Sequence, residues 1–147
     1  MEKADFFIRF VAWFVDSIIL GIIYWILSVI VGVALSGMIP DNAQGGGFLA
    51  VFSAIYLLMT VLLLIGMFLY FGYFWSKDGQ SIGMKLLHIK VVKTDGSPLS
   101  FATAGLRGTI GYWISGLIFG LGYIWAAFDK DKQAWHDKIF GTWVVKA

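Results

Sequence analysis

The sequence contains no cysteine, only two histidines and few charged residues. Without cysteine there are no disulfide bonds and no thiol chemistry, and two histidines alone do not make a zinc site. Charged residues form 14% of the chain, against about 25% in soluble domains, whereas hydrophobic residues reach 59%. This balance predicts an integral membrane protein. No basic block indicates a nucleic-acid partner, and 147 residues suffice for one small membrane domain without a separate soluble one.

Three long apolar stretches organise the chain as a single domain. The first is too long for the apolar region of a signal peptide and contains an aspartate, so we expect it to be retained and to cross the membrane. The second has no formal charge, which predicts a transmembrane helix. The third contains six glycines and an arginine, which indicates a broken segment. Within the domain 1–147, the stretches cover 6–38, 48–75 and 101–128, with a polar segment at 76–100 and a tail at 129–147.

Lysine and arginine counts predict the orientation, because cytoplasmic loops are enriched in both. Loop 37–47 has neither, whereas segment 76–100 carries four lysines and the tail carries four more. The N-terminus, the segment and the tail are therefore predicted to be cytoplasmic. A complete third crossing would place the tail outside, so the charges favour a re-entrant hairpin or two short helices over a full span.

The polar segment and the tail predict a small element at the membrane surface. Residues 82–87 suit a short interfacial helix, and residues 89–91 alternate as in a half-buried strand. Ser100 is a predicted N-cap for the third stretch, and residues 133–140 suit a helix that Gly141 ends before the strand-like TWVV. The predicted fold is thus an all-α integral membrane protein. It is a small bundle of two full transmembrane helices, a third glycine-broken span or re-entrant hairpin, and a cytoplasmic interfacial helix and hairpin.

An arginine and an aspartate interrupt the first apolar stretch. Arg9 and Asp16 are seven residues apart, which places them on one helix face about 10.5 Å apart along the axis. Helical side chains lean toward the N-terminus, so Arg9 points away from Asp16 and a direct ion pair between them is not expected. Arg9 can instead reach Asp137 or Asp129, with Asp5 as a local alternative.

Asp16 lies about 15 Å along the first helix, where an unpaired carboxylate is costly and tends to bind a proton. Arg107 has a similar predicted depth and the opposite charge. We therefore predict that Asp16 pairs with Arg107. A structural role for the buried charges and a role on a solute or ion path both remain open.

Four sequence features, taken together, resemble the RDD family of small membrane proteins. They are the spacing of Arg9, Ala12 and Asp16, the run DGQSIGMKLL, the intramembrane Arg107, and the run AWHDKIFGTWVV. The arginine and two aspartates of the family name correspond here to Arg9, Asp16 and Asp137. The resemblance implies a membrane-embedded protein and favours a bacterial cytoplasmic membrane. Transport is the suspected function of the family, and the family defines no catalytic residues.

Two functions follow as alternatives. The first is transport or exchange of a small solute, cation or proton, with Arg9, Asp16, Arg107 and Asp137 as a buried charge network on the path. The second is a non-transporting adaptor or regulator that packs against a larger membrane protein, with the same charges as a structural lock. His136 and Asp137 have neither a nucleophile nor a phosphate loop beside them, so we expect no enzymatic activity and no cofactor or metal.

Small residues at helical spacing offer a further contact surface. They are Ser28, Gly32 and Ser36 in the first stretch, and Gly116 and Gly120 in the third. Such stripes allow close helix approach, either within the chain or in a homo-oligomer. The expected partners are the lipid bilayer, a second copy or a larger membrane protein, and a proton or monovalent cation.

Overall fold

The structure is a computed structural model that describes residues 1–39 and 45–147. Two helices are long and apolar enough to cross a membrane: α1 (Phe6–Ser36) and α2 (Gly46–Lys77). At 1.5 Å per residue they measure about 46 and 48 Å, which exceeds a hydrocarbon core of about 30 Å. Both predicted helices are confirmed. Residues 40–44 of the predicted loop 37–47 lie outside the described residues.

The third apolar stretch is broken, as its glycines predict. It consists of α4 (Phe101–Leu106), a π-helical segment (Arg107–Gly111), α5 (Tyr112–Gly116) and α6 (Leu121–Phe128). The part before residue 117 and the part after residue 120 meet at 92°. Gly120 has φ +70°, a left-handed conformation that glycine adopts without strain.

Short elements between and after the apolar stretches form one layer. These are α3 (Ile82–Leu86), β1 (Ile89–Lys93), α7 (Trp135–Phe140) and β2 (Thr142–Lys146). β1 pairs antiparallel with β2, with Val91 opposite Val144. The N-terminus joins the same layer, because Ala4 N donates to Val144 O at 2.8 Å.

This strand pairing decides the path of the third stretch. β1 precedes α4 and β2 follows α6, yet the two strands are hydrogen-bonded to each other. The third stretch therefore starts and ends at the same end of the molecule. We name this end the head: residues 1–16, 67–77, 78–100 and 101–147.

Local chemistry explains where the short elements begin and end. Ser81 Oγ accepts from Met84 N at the start of α3, and Ser100 Oγ accepts from Thr103 N at 3.2 Å at the start of α4. These hydroxyls satisfy backbone donors that have no partner within the helix. Gly141, with φ +59°, ends α7. The predicted caps at Ser100 and Gly141 are thus present.

The core of the protein lies in the head. Phe71 and Trp75 of α2 are fully buried there, together with Met84 and the inward side chains of both strands. Beyond about residue 17 of α1 and before about residue 67 of α2, the large side chains are mostly exposed. The two long helices therefore leave the head as a pair with extensive apolar surface.

The predicted small-residue stripes lie away from this core. In the described part of the chain, a Cβ added at Gly32 would meet nothing within 4 Å outside its own helix, and Ser28 and Ser36 donate to carbonyls of that same helix. Gly120 lies in a turn and not on a helix face shared with Gly116. Among residues 1–39 and 45–147, the glycines of these stripes thus make no close contact with another helix. Their proposed role in association between copies stays a prediction.

Close approaches occur at other glycines. A Cβ at Gly83 would lie 2.2 Å from Ala12 O, which brings α3 against the backbone of α1. A Cβ at Gly108 would lie 2.4 Å from the Phe71 ring, which brings the π-helical segment against α2. These two contacts position the charged residues described next.

Candidate functional site

One carboxylate and two guanidinium groups form a buried cluster at the centre of the head. Asp137 of α7 accepts from Arg9 of α1 through Oδ2 and from Arg107 of the π-helical segment through Oδ1. The side chains of Asp137 and Arg107 are at most 1% exposed, and that of Arg9 is 10% exposed. Three elements that are distant in sequence are therefore joined at one ion cluster.

Further hydrogen bonds fix the orientation of this cluster. Thr142 Oγ1 donates to Asp137 Oδ1 at 3.2 Å and accepts from Arg107 Nε at 3.1 Å. The backbone N–H of Ala134 donates to Asp137 Oδ2 at 3.0 Å, which secures the start of α7. Arg9 Nη1 donates to the carbonyl of Lys132. Each carboxylate oxygen of Asp137 thus accepts hydrogen bonds from two donors.

The charges of the cluster do not balance. Burial opposes ionisation of Asp137, but the adjacent Arg9 and Arg107 outweigh it and hold the pKa of Asp137 well below its usual range. Asp137 is therefore ionised, and two guanidinium groups share one negative charge. The cluster carries one excess positive charge in a buried place.

The side chains of Arg107 and Trp75 are in contact, and each has a hydrogen-bond donor without an acceptor among the described residues. The guanidinium carbon of Arg107 lies 4.5 Å from the centre of the Trp75 ring, in the range of a cation–π contact. In the part of the chain that the structure describes, Arg107 Nη1 and Trp75 Nε1 are buried and meet no acceptor. Buried donors without a partner are uncommon and call for an explanation.

His136 is buried between aromatic rings next to the cluster. Its ring centre lies 4.9 Å from that of Tyr112 and 5.5 Å from that of Tyr123, and its Nδ1 lies 2.8 Å from Ser115 Oγ. Burial lowers the pKa of His136 well below 6.5, although Asp137 partly offsets this effect. His136 is therefore neutral at neutral pH and adds no charge.

Ser115, His136 and Asp137 superficially resemble a nucleophile, base and acid. The His136 Nε2 to Asp137 Oδ1 distance of 3.7 Å is too long for a hydrogen bond. Ser115 is fully buried, and its Oγ already accepts from His136 N at 3.2 Å. The geometry needed to activate a nucleophile is not met at these residues. Among the described residues, no three acidic or histidine side chains converge as metal ligands either.

Asp16 belongs to a second polar cluster, separate from Arg107. Its Oδ1 accepts from Tyr70 Oη and Gly83 N, each at 2.8 Å, and its Oδ2 accepts from Ser81 Oγ. The predicted pair of Asp16 with Arg107 is therefore wrong. Equal depth and opposite charge suggested it, but Arg107 faces α7, whereas Asp16 faces the start of α3.

The sequence contained a signal for the true partners of Asp16. Ser81 and Gly83 lie in the run DGQSIGMKLL, where a serine precedes a short helix and a glycine follows two residues later. A serine N-cap and an exposed backbone N–H are suitable donors for a buried carboxylate. The role of Tyr70 could not be predicted from the sequence, because Tyr70 is one of several aromatic residues on an apolar helix. The alternative pairing of Arg9 with Asp137, by contrast, is the one that the structure contains.

A cavity of about 240 Å³ borders the first cluster. It lies between the first two turns of α1 and helix α6, and Arg9, Arg107 and His136 contribute to its wall. Most of the remaining wall is aromatic or aliphatic. The head therefore combines a buried charge cluster with an adjoining apolar space.

Comparison with known proteins gives matches over nearly the whole chain. A family model described as the RDD family matches residues 3–141. Two uncharacterized proteins of Bacillus subtilis (strain 168) are similar: YxaI is 36% identical over 99% of this chain and 99% of its own length, and YckC is 32% identical over 99% and 86%. The uncharacterized protein RP437 of Rickettsia prowazekii (strain Madrid E) is 33% identical over 53% of this chain and 43% of its own length. No solved structure matches the chain.

Proposed function

The chain belongs to the RDD family, and from this premise we propose that it is a multi-pass membrane adaptor or regulator that packs against a larger membrane protein. In this proposal the buried arginines and aspartates lock the head together. The long helices α1 and α2 offer the surface for the partner. The head faces the cytoplasm of a bacterial inner membrane, as the lysine distribution favours.

One observation carries the proposal: both buried carboxylates of the head, Asp16 and Asp137, are fully used by contacts within the chain. Asp16 accepts from three donors, and Asp137 is held by two arginines, a threonine and a backbone N–H. A cation on a transport path needs carboxylate oxygens that can exchange partners. These oxygens instead hold α3 and α7 against the transmembrane helices, which supports a structural lock.

The surface of the long helices supports the second half of the proposal. Trp25, Val33 and Leu57 are 66%, 71% and 65% exposed, and no charged residue occurs between Asp16 and Ser36 or between Gly46 and Ser76. Two helices alone cannot enclose a polar path. Such a surface suits lipid or the apolar helices of another membrane protein.

Site-specific photo-crosslinking in intact cells tests the adaptor proposal. A photoreactive amino acid is placed in turn at Ile22, Ile26 and Val33 on one side of α1, and at exposed positions around the rest of the helix. We expect one discrete adduct with the same larger membrane protein from adjacent positions on one helix face only. Leu86, 64% exposed on the head, is the matched control position. Adducts with lipid or with a second copy alone, from all faces, would contradict the proposal.

Transport of a small solute, cation or proton is the second candidate, and the cavity beside Arg9 and Arg107 is the observation that favours it. Reconstitution separates the two functions. Purified protein in liposomes is compared with Asp16→Asn at equal folded amount for cation-driven proton flux. The adaptor proposal predicts no flux from the protein alone. Cation-dependent flux that disappears in folded Asp16→Asn would replace it with transport.

A further inference from the structure

The cavity beside the charge cluster is open toward the apolar surface of the molecule. Phe10 and Trp13 of α1 and Ile124 of α6 line it and are themselves 46%, 37% and 42% exposed. These residues belong to the apolar stretches and lie within the head. A ligand that enters between them comes from the lipid phase.

The inner wall of the same cavity is positively charged. Arg9 and Arg107 both line it, and they share the single carboxylate of Asp137. Arg107 is fully buried and retains an Nη1 donor without an acceptor among the described residues. A buried excess charge is unfavourable unless a counterion is close, so the wall is suited to an anion.

From these two walls we propose that the cavity binds a singly charged anionic amphiphile. Its acyl chain lies between Phe10, Trp13 and Ile124, and its carboxylate or phosphate meets the guanidinium groups of Arg9 and Arg107. The anion supplies a negative charge in direct contact with the two guanidinium groups, which Asp16 does not, because Asp16 is bonded to Tyr70, Ser81 and Gly83. This proposal is independent of the adaptor function, because it concerns the head and not the parts of α1 and α2 that extend beyond the head.

The combination of walls argues against other occupants. A neutral alcohol or sterol would fill the apolar part but would leave the excess charge unbalanced. A free inorganic anion would balance the charge but would leave the aromatic walls without contact. The cavity of about 240 Å³ holds an anionic head and part of one acyl chain, whereas a transmembrane helix of a partner does not enter it. An acyl chain with an anionic head satisfies both walls, whether it comes from a free fatty acid or from an anionic phospholipid.

Photoaffinity labelling tests the proposal with the purified full-length protein in neutral phosphatidylcholine nanodiscs. The probe is a palmitic acid that carries a diazirine in its chain, and the labelled peptides are identified by mass spectrometry. We expect labelling to concentrate in residues 6–13 and 120–126. Excess palmitate is expected to reduce it at least tenfold, and excess hexadecanol of equal chain length is expected to leave it unchanged.

Two neighbouring alanines of α6 provide a matched pair of variants. Ala126 lines the cavity and is 3% exposed, whereas Ala127 is exposed on the same helix. Ala126→Phe is expected to abolish the competed labelling, and Ala127→Phe is expected to retain it. Both variants keep the charge cluster, and their folding is checked by size exclusion and thermal unfolding.

The outcomes distinguish the two sources of the anion, and they also show whether the proposal fails. Competition by palmitate alone assigns a free fatty acid, and competition by phosphatidylglycerol but not phosphatidylcholine assigns a membrane lipid. Equal competition by hexadecanol in the wild-type protein would overturn the proposal even if Ala126→Phe failed to fold. Undiminished labelling of a folded Ala126→Phe variant would overturn it as well.

Discussion

At the scale of single residues, Asp137 is the counterion of both buried arginines. It accepts from Arg9 and Arg107 at once, and both arginines lie in elements far from it in sequence. The stability that such a carboxylate contributes is best measured by removing it, because its arginine partners stay buried. Two guanidinium groups would then remain buried without a counterion.

We expect Asp137→Asn to destabilise the protein by about 3–5 kcal/mol, the range for removal of one partner of a buried ion pair. The free energy of unfolding in mixed micelles is the measurement. Asp131→Asn is the matched control, because Asp131 is 42% exposed and pairs with Lys3 at the surface. Its loss is expected to have a much smaller effect, because exposed ion pairs are screened by solvent and contribute little to stability. Equal effects of the two substitutions would contradict a central role for Asp137.

His136 predicts a dependence of stability on pH. The folded state keeps His136 neutral because burial lowers its pKa, whereas the unfolded chain binds a proton below about pH 6.5. The unfolded state therefore binds more protons as the pH falls, and stability decreases from pH 6.5 downward by at most about 1.4 kcal/mol per pH unit. Asp137 has a separate window: its contribution is present above about pH 4 and is lost at lower pH.

Unfolding of the wild-type protein and of His136→Gln between pH 7.5 and 5 measures this dependence. We expect the variant to be less stable at pH 7.5 and to show a flatter profile. His88→Asn serves as the control, because His88 has φ +53° and asparagine tolerates this conformation. A profile of His136→Gln as steep as that of the wild type would assign the pH dependence to other groups.

At the scale of secondary-structure elements, α3 is held by a backbone contact together with a polar one. Gly83 lies against the carbonyl of Ala12, and its N–H donates to Asp16 at 2.8 Å. A side chain at this position would separate α3 from α1. The polar cluster around Asp16 thus depends on the absence of a Cβ at residue 83.

Gly83→Ala is expected to destabilise the head by about 1–3 kcal/mol, the range for a steric insertion into a packed site. A Cβ at residue 83 would lie 2.2 Å from Ala12 O, which is backbone and cannot rotate away. Gly66→Ala in α2 is the control, since a Cβ there meets nothing within 4 Å in the described chain. Thermal unfolding of both variants is the measurement, and an unchanged Gly83→Ala variant would show that α3 is not docked in this way.

At the scale of the whole molecule, the antiparallel strand pair determines the topology. β1 and β2 bracket the third stretch, so both ends of this stretch lie in the head. The compact head holds most of the buried side chains, and the paired long helices extend from it. The architecture is thus a pair of long apolar helices joined to a head in which the third stretch begins and ends.

Cysteine labelling in inverted and intact vesicles tests this topology, because the native chain has no cysteine. Lys77→Cys and Lys146→Cys are expected to react from the same side of the membrane. Ser36→Cys, at the other end of α1, is expected to react from the opposite side. Labelling of Lys146→Cys together with Ser36→Cys would mean that the third stretch crosses completely.

The membrane class, the two long helices, the broken third stretch and the strands at the head could all be predicted from the sequence. Each of these follows from local physics: in hydrocarbon, long apolar runs satisfy their backbone only as helices, and glycine and serine mark the breaks and caps. The partners of Asp16 and Arg107, in contrast, depend on the tertiary structure. Asp16 and Arg107 satisfy the same depth and charge criteria as a true pair, but the π-helical segment directs Arg107 to Asp137, and the close contact at Gly83 brings Ser81 to Asp16. Such choices depend on rotations and approaches between distant segments, which neither spacing nor hydropathy encodes.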